Sequence, residues 1–262
     1  MNSLTILSNS IVSKRDRFVD YFKYVVGTTI WMIRPSTFLS EHIGPRRVRI
    51  LAENRIDIVL DVGAHVGSYG LELRRAGYTG HIVSFEPLTL AYGSLATSAS
   101  KDPKWMSVQT ALGEYDGSAV LNISGNLYSS SLLPMCEVHV ESQPVSAYVG
   151  EEVVKVSRLD DTCSAFLRGD ERIWLKLDVQ GYERQVIDGA TRILPQIQVI
   201  EAELSLVPLY EGQSLFREMM DFLDSLGFDL ISLERGYTDR LSGHVLQVDG
   251  IFLRRTHGKT KV

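Results

Sequence analysis

The chain has 262 residues, of which 44% are hydrophobic and 23% charged, a length and balance that fit one substantial α/β core. A net charge of -5 argues against nucleic-acid binding through a general basic surface. Two cysteines, Cys136 and Cys163, are too few for a disulfide framework or a four-cysteine zinc site, and they fit a reducing compartment.

Residues 1–54 read as a mostly helical N-terminal extension broken by Pro35 and Pro45. Its longest apolar run, Tyr24–Ile33, is ten residues, where a spanning helix needs about 20. Basic residues precede that run as in a signal peptide, but no A-x-A-like cleavage site follows it. The run is expected to pack on the body or at a contact between copies in a homo-oligomer, with loose membrane-surface attachment as the lesser alternative. The expected location is the cytoplasm.

From residue 55 to 255, short apolar runs alternate with helical patterns, the signature of an open, mostly parallel sheet with helices on both faces. The predicted strands are Asp57–Val62, His81–Glu86, Ser107–Ala111, Ile173–Asp178, Gln198–Leu204, Phe228–Glu234 and Val245–Leu253. Helical spacing runs from Val66 to Ala76, over Tyr182–Leu194 and over Leu215–Leu226, with Gly77 and Gly227 as stops. No helix-length segment separates the last two strands, which predicts an antiparallel pair. The stretch from about 113 to 160 breaks the alternation and reads as an insertion at the ligand edge of the sheet.

The first strand runs into "DVGAHVGSYG", residues 61–70. A glycine-rich loop there places backbone at the edge where such sheets bind ligands. The dinucleotide spacing G-x-G-x-x-G requires a glycine at position 65, which is His65. An acid two residues before Gly63 suits a cationic amino-acid group better than a pyrophosphate. Glu86, at the tip of the second strand in "VSFEP", is placed to accept both hydroxyls of a ribose. Together these favour a nucleoside bearing an ammonium or sulfonium group.

"DVGAHVGSYG", "SFEP", "ALGEYDG", "SSSL", "LKLDVQGYE", Gly189-Ala190 and "ELSLVPLYEGQ" together resemble the FkbM family of S-adenosylmethionine-dependent O-methyltransferases. The likeness runs from Asp57 to Leu253 with the motifs in family order. It implies a class I (Rossmann-like) methyltransferase fold with seven strands, the last antiparallel. It also implies S-adenosylmethionine as cofactor. Asp61, Gly63, Ala64, Gly67 and Tyr69 then fall on the first motif, beside the methionine part; Glu86 with Pro87 falls on the ribose acid, and Ala111 and Leu112 border the adenine.

Asp178 ends the fourth strand, near where a donor methyl would sit, and Lys176 shares its face by strand alternation. Lys176 is expected in an internal ion pair with Asp178 or Glu201. Three groups are candidate bases for deprotonating an acceptor hydroxyl: Asp178, Glu203 on the adjacent strand, and His139 in the insertion. One FkbM subgroup resembles this chain in placing a histidine after "SSSLLPM". Ser130, Ser131, Gln180, Tyr182, Tyr210 and Gln213 supply hydroxyl, amide and aromatic groups suited to a sugar; Gln247 and Asp249 share a face of the last strand and could close the same pocket. His65 stands where the family more often has Asn, and is a weaker candidate. The acidic residues lack the dense spacing of a dedicated cation site, so no metal is expected. The partner implied is a hydroxyl-bearing small molecule or glycolipid, in polysaccharide, glycolipid or secondary-metabolite synthesis. A nicotinamide-dependent oxidoreductase and a non-catalytic, membrane-associated relative are the alternatives.

Overall fold

The structure is a computed structural model that describes residues 43–255. The run Tyr24–Ile33 and Pro35 lie outside the described residues. Helix α1 (Ile43–Glu53) holds Pro45 in its first turn, where the missing N–H is not needed by the helix ladder. The chain divides between Ile50 and Leu51 into two units. The second carries every element from β1 onward.

In chain order these are β1 (Ile58–Val62), α2 (Ser68–Arg75), β2 (His81–Phe85), α3 (Thr89–Ala99), β3 (Trp105–Val108) and β4 (Ala111–Gly113). Then come β5 (Gly117–Ser124), α4 (Glu137–Ser142), β6 (Tyr148–Arg158), α5 (Leu159–Cys163), β7 (Ile173–Leu177) and α6 (Glu183–Asp188). The chain continues through β8 (Ile197–Ser205), α7 (Phe216–Ser225), β9 (Phe228–Arg235) and β10 (Gln247–Arg254). The main sheet has seven strands in the order β3-β2-β1-β7-β8-β10-β9. β10 is antiparallel to both its neighbours, while β3, β2, β1, β7 and β8 pair in parallel. β1 and β7 are buried along their whole length, which explains their unbroken apolar character. Leu60, Leu175 and Ile200 lie side by side across the sheet within one core cluster.

The expected strand Ser107–Ala111 is two strands belonging to different sheets. The main ladder ends where the Glu86 N–H reaches the Val108 carbonyl. The Thr110 hydroxyl then bonds to Lys155 and Ser157, turning the chain so that β4 pairs in parallel with β6. β5 completes a second sheet of order β4-β6-β5. The insertion thus has a core of its own, in which Leu121, Val154 and Val156 pack with Leu88 and Ala91 of the main body.

The helical pattern over Tyr182–Leu194 yields a helix only as far as Asp188. The Asp160 carboxylate of α5 takes the N–H groups of Arg192 and Ile193 and the Thr191 hydroxyl, giving those donors a side-chain partner in place of a helix ladder. α3 is an element the periodicity did not disclose. Its buried positions are Ala91, Leu95 and Ala99, while Leu90 on the same helix is exposed, so its apolar stripe is faint.

At the α6 exit, a β-carbon on Gly189 would stand 2.0 Å from the Gly113 carbonyl oxygen. The end of α6 and β4 of the second sheet meet at this glycine. Gly189→Ala should destabilise the protein by about 1–3 kcal/mol through overpacking. Urea unfolding should show this as a lower midpoint, and an unchanged midpoint would refute the contact.

Candidate active site

The carboxyl ends of β1, β2 and β7, together with the insertion, enclose a cleft of about 660 Å³ that opens to solvent. Gly63, in the left-handed region at φ 74°, turns the chain out of β1; a β-carbon there would stand 1.8 Å from the Asp178 carbonyl oxygen. Glycine is therefore required by the approach of the β7 tip as well as by the turn. Gly67, at φ 87°, begins α2, and a β-carbon there would meet Leu95 and Trp105 at 3.0–3.1 Å.

Beneath this loop lies a buried charge network. Asp61 is fully buried, accepts a hydrogen bond from the Ser84 hydroxyl at 2.9 Å, and pairs with the Lys176 ammonium at 3.3 Å. The indole N–H of Trp105 holds the Ser84 oxygen at 3.0 Å. Lys176 Nζ is also 3.3 Å from Asp178 Oδ2 and 3.4 Å from the Gly63 carbonyl. Burial pulls the Lys176 pKa down, but Asp178, Asp61, Glu203 and Glu201 outweigh it and hold the lysine firmly charged. Burial pushes the Asp61 carboxyl up, and Lys176 and Ser84 offset that only in part. Glu201 is itself buried and held by the Tyr69 hydroxyl at 2.6 Å and the Trp174 indole at 3.2 Å.

Glu86 reaches the cleft from the end of β2. One carboxylate oxygen accepts the His65 N–H at 2.8 Å and the other the Leu88 N–H at 2.9 Å. Burial pushes its pKa up to about 7, against the pull of those two N–H groups. Each oxygen keeps a second lone pair for a ligand hydroxyl.

Gln180 organises the side of the cleft next to the insertion. At φ 54° it follows the β7 tip and its amide nitrogen donates to Asp178 at 2.8 Å and to Glu203 at 2.9 Å. Its amide oxygen accepts the Tyr210 hydroxyl at 2.7 Å, and its carbonyl accepts the Ser131 hydroxyl at 2.7 Å. Gln247 also points to Glu203, at 3.4 Å, and Asp249 is the β10 residue registered opposite Glu203. Burial and the charges of Asp178, Asp249 and Glu183 push the Glu203 carboxyl well above its usual range. Gln213 accepts the Tyr210 N–H at 2.7 Å. Glu183 is buried and closes the β7–α6 turn by accepting the N–H groups of Val179 and Gly181.

Among the predicted cofactor residues, Gly63, Glu86, Pro87, Ala111, Leu112 and Asp178 line the cleft; Asp61, Ala64, Gly67 and Tyr69 stand behind it. Among the predicted substrate residues, Ser130, Ser131, Gln180 and Tyr182 line it, while Tyr210, Gln213, Gln247, Asp249 and also Glu203 form the layer beyond. His139 is not part of the lining. It is 3% exposed, packed edge-on to Tyr210 and tilted against Tyr237, and burial lowers its pKa to about 4. His65 and Tyr128 line the cleft as well, their rings 4.1 Å apart. Tyr128 was legible only as an aromatic in a serine-rich stretch. The Asp61–Lys176 pair was not legible, because nothing in the sequence fixes the register of β1 against β7.

The described residues contain no group of three or more His, Cys, Asp or Glu placed to hold a metal ion. No helix among them is long and apolar enough to cross a membrane.

The strand order β3-β2-β1-β7-β8-β10-β9 with β10 antiparallel, and a glycine loop facing an acid at the β2 tip, define a class I methyltransferase. The model of the methyltransferase FkbM domain matches residues 61–230, and the chain belongs to that family. A 2-O-methyltransferase, NoeI, from Sinorhizobium fredii is 27% identical over 208 residues, covering 76% of this chain and 82% of that one. Among solved structures, an FkbM methyltransferase from Methylobacillus flagellatus KT superposes with a TM-score of 0.46 at 12% identity over 74% of this chain. That match spans 43% of the other chain, less than half its length. The magnesium protoporphyrin IX methyltransferase of Synechocystis PCC 6803 superposes with a TM-score of 0.43 at 12% identity, over 90% of this chain and 94% of that one.

Lys176→Met should destabilise the protein by about 3–5 kcal/mol at neutral pH, because it strands Asp61 as a buried unpaired charge. Without the ammonium the folded-state pKa of Asp61 rises further above its unfolded value. The deficit should therefore shrink as pH falls, and adding Asp61→Asn should recover part of it. Denaturant titrations of the single and double variants across pH check both signs.

Proposed function

We propose that the chain transfers the methyl group of S-adenosylmethionine to a hydroxyl of a sugar or sugar-bearing acceptor, with residues 51–255 as the methyltransferase body and residues 113–160 as the acceptor-side insertion. One observation carries the reading: Glu86, Asp178, Gln180 and the serine pair Ser130 and Ser131 line a single cleft. Hydroxyl transfer is supported by the similarity to a 2-O-methyltransferase.

The donor contributes a methyl on a positively charged sulfur. The chain supplies a site for it. Glu86 accepts the ribose hydroxyls with the lone pairs that His65 and Leu88 leave free. Ala111, Leu112 and Leu121 offer an apolar wall for the adenine. Lys176 is paired with two carboxylates, Asp61 and Asp178, and a third, Glu201, stands nearby. That imbalance favours a cationic donor over its neutral, demethylated product. Asp178 lies where the donor and acceptor halves of the cleft meet, and the network fixes its position before either ligand arrives. The chemistry is then an in-line displacement helped mainly by positioning. On the acceptor side, Ser130, Ser131 and Gln180 provide the closely set donors and acceptors that a polyol needs.

Glu86→Gln should weaken S-adenosylmethionine binding by about 1.5–3 kcal/mol, roughly 10- to 150-fold in Kd. The ionised carboxylate is the form that accepts both hydroxyls, and burial places its pKa near about 7. Wild-type affinity should therefore fall as pH drops through neutrality, with a proton released on binding at about pH 6; the variant should show neither. Calorimetry in buffers of different ionisation enthalpy measures both, and unaltered affinity in the variant removes Glu86 from the site.

A further inference from the structure

Four non-glycine residues adopt left-handed backbone in the described chain: Arg55, His65, Leu127 and Gln180. Three of them, His65, Leu127 and Gln180, line the cleft. Such conformations cost free energy and persist where the surroundings hold them, most often at functional sites. Leu127 is held by a turn in which Asn126 accepts the Ser129 N–H and the Ser124 hydroxyl, and that turn sets Tyr128 over the His65 ring. His65 is held by its own N–H on Glu86.

The His65 imidazole has both nitrogens buried with no hydrogen-bond partner. A neutral ring carries one donor and one acceptor, so two polar functions are left unmet inside the cleft wall. The other titratable groups of the lining are already engaged or unsuited. Asp178 has one oxygen on Lys176 and the other on Gln180. Glu86, whose oxygens each accept one backbone N–H, is taken up by the ribose hydroxyls in the function proposed above. Tyr128 and Tyr182 are phenols, too weak as bases at neutral pH. Glu203 and His139 are not in the lining at all.

We propose that His65 is the general base of the transfer, a reading that rests on the function proposed above. As an oxygen lone pair of the acceptor hydroxyl forms the new bond to the methyl carbon, the carbon–sulfur bond breaks and its electron pair returns to sulfur. The hydroxyl proton passes to the free imidazole nitrogen and then to water. Burial keeps the ring neutral at rest, with Lys176 adding to that effect, while Asp178 favours the imidazolium that forms. Glu86 faces the loop from β2, and Tyr128 covers the ring from the insertion. Tyr128 is 64% exposed, so its side chain can swing away from the nitrogens while the turn beneath it stays intact.

The test uses the full-length chain with radiolabelled S-adenosylmethionine and a panel of methyl pyranosides. Asparagine tolerates the left-handed backbone of position 65, so His65→Asn should keep the fold, checked by thermal unfolding, and the donor Kd. Its kcat should drop roughly 100-fold or more, and the acid limb of the kcat–pH profile should disappear. In His65→Ala, added imidazole should restore part of the rate. Full kcat in His65→Asn with wild-type turnover intact overturns the base assignment alone. Failure of the wild type to methylate any pyranoside overturns the sugar reading and, with it, the assignment that rests on it.

Discussion

Lys176 lies between Asp61 and Asp178, 3.3 Å from each, and the carboxyl edge of the sheet is arranged around its ammonium. An ammonium withdrawn from water must be neutralised locally, and here each neutralising group belongs to a different piece of the site. Asp61 comes from β1, where it anchors the start of the glycine loop. Asp178 comes from the tip of β7 and faces the cleft. The Gly63 carbonyl, a third partner, ties the loop to the same point. A displacement of any one of these strands leaves a charge unpaired, so the network fixes the loop, the β7 tip and the cleft floor relative to each other. The aromatic residues around it, Trp105, Trp174 and Tyr69, each spend their polar atom on this network.

The parallel sheet was legible because its central strands are buried on both faces and therefore read as runs of Ile, Val and Leu. The antiparallel final strand was legible from the shortness of the segment before it. What failed did so for local reasons. β3 and β4 read as one strand because Thr110, which carries the chain from one sheet to the other, is as strand-like as its neighbours. The pattern after Glu183 continued as though helical, because Asp160, some thirty residues earlier in sequence, replaces the helix ladder at Arg192 and Ile193. Helix α3 went unread because apolar residues lie on its exposed side too, Leu90 among them, and blur the stripe formed by Ala91, Leu95 and Ala99.

The site divides in the same way. Glu86, Asp178 and Gln180 could be placed from sequence, since strand tips and the turns after them always reach this edge of the sheet. Lys176 was legible as one member of an ion pair with Asp178 or Glu201, and Asp178 is a partner; the other partner, Asp61, required the register between two strands. His139 shows the limit of reading a residue type without its surroundings. An imidazole in the insertion looked as available as any other, yet it packs between two tyrosines, while His65, in the motif itself, faces the cleft.

The second sheet begins and ends at one place. β4 and β6 run side by side, with Leu112 registered to Ser157 and Gly113 to Arg158, so the chain leaves the main body and returns to it through neighbouring residues. Everything between those points is a closed excursion whose ends are already together. Its length can change at little cost in loop-closure entropy. In the function proposed above, Glu86 and Asp178 on the donor side lie outside this excursion, while Ser130 and Ser131 on the acceptor side lie within it. Divergence in acceptor choice among related chains therefore has a route open to it that leaves those two carboxylates untouched: exchange or remodelling of the segment between β4 and the end of β6 as a single cassette.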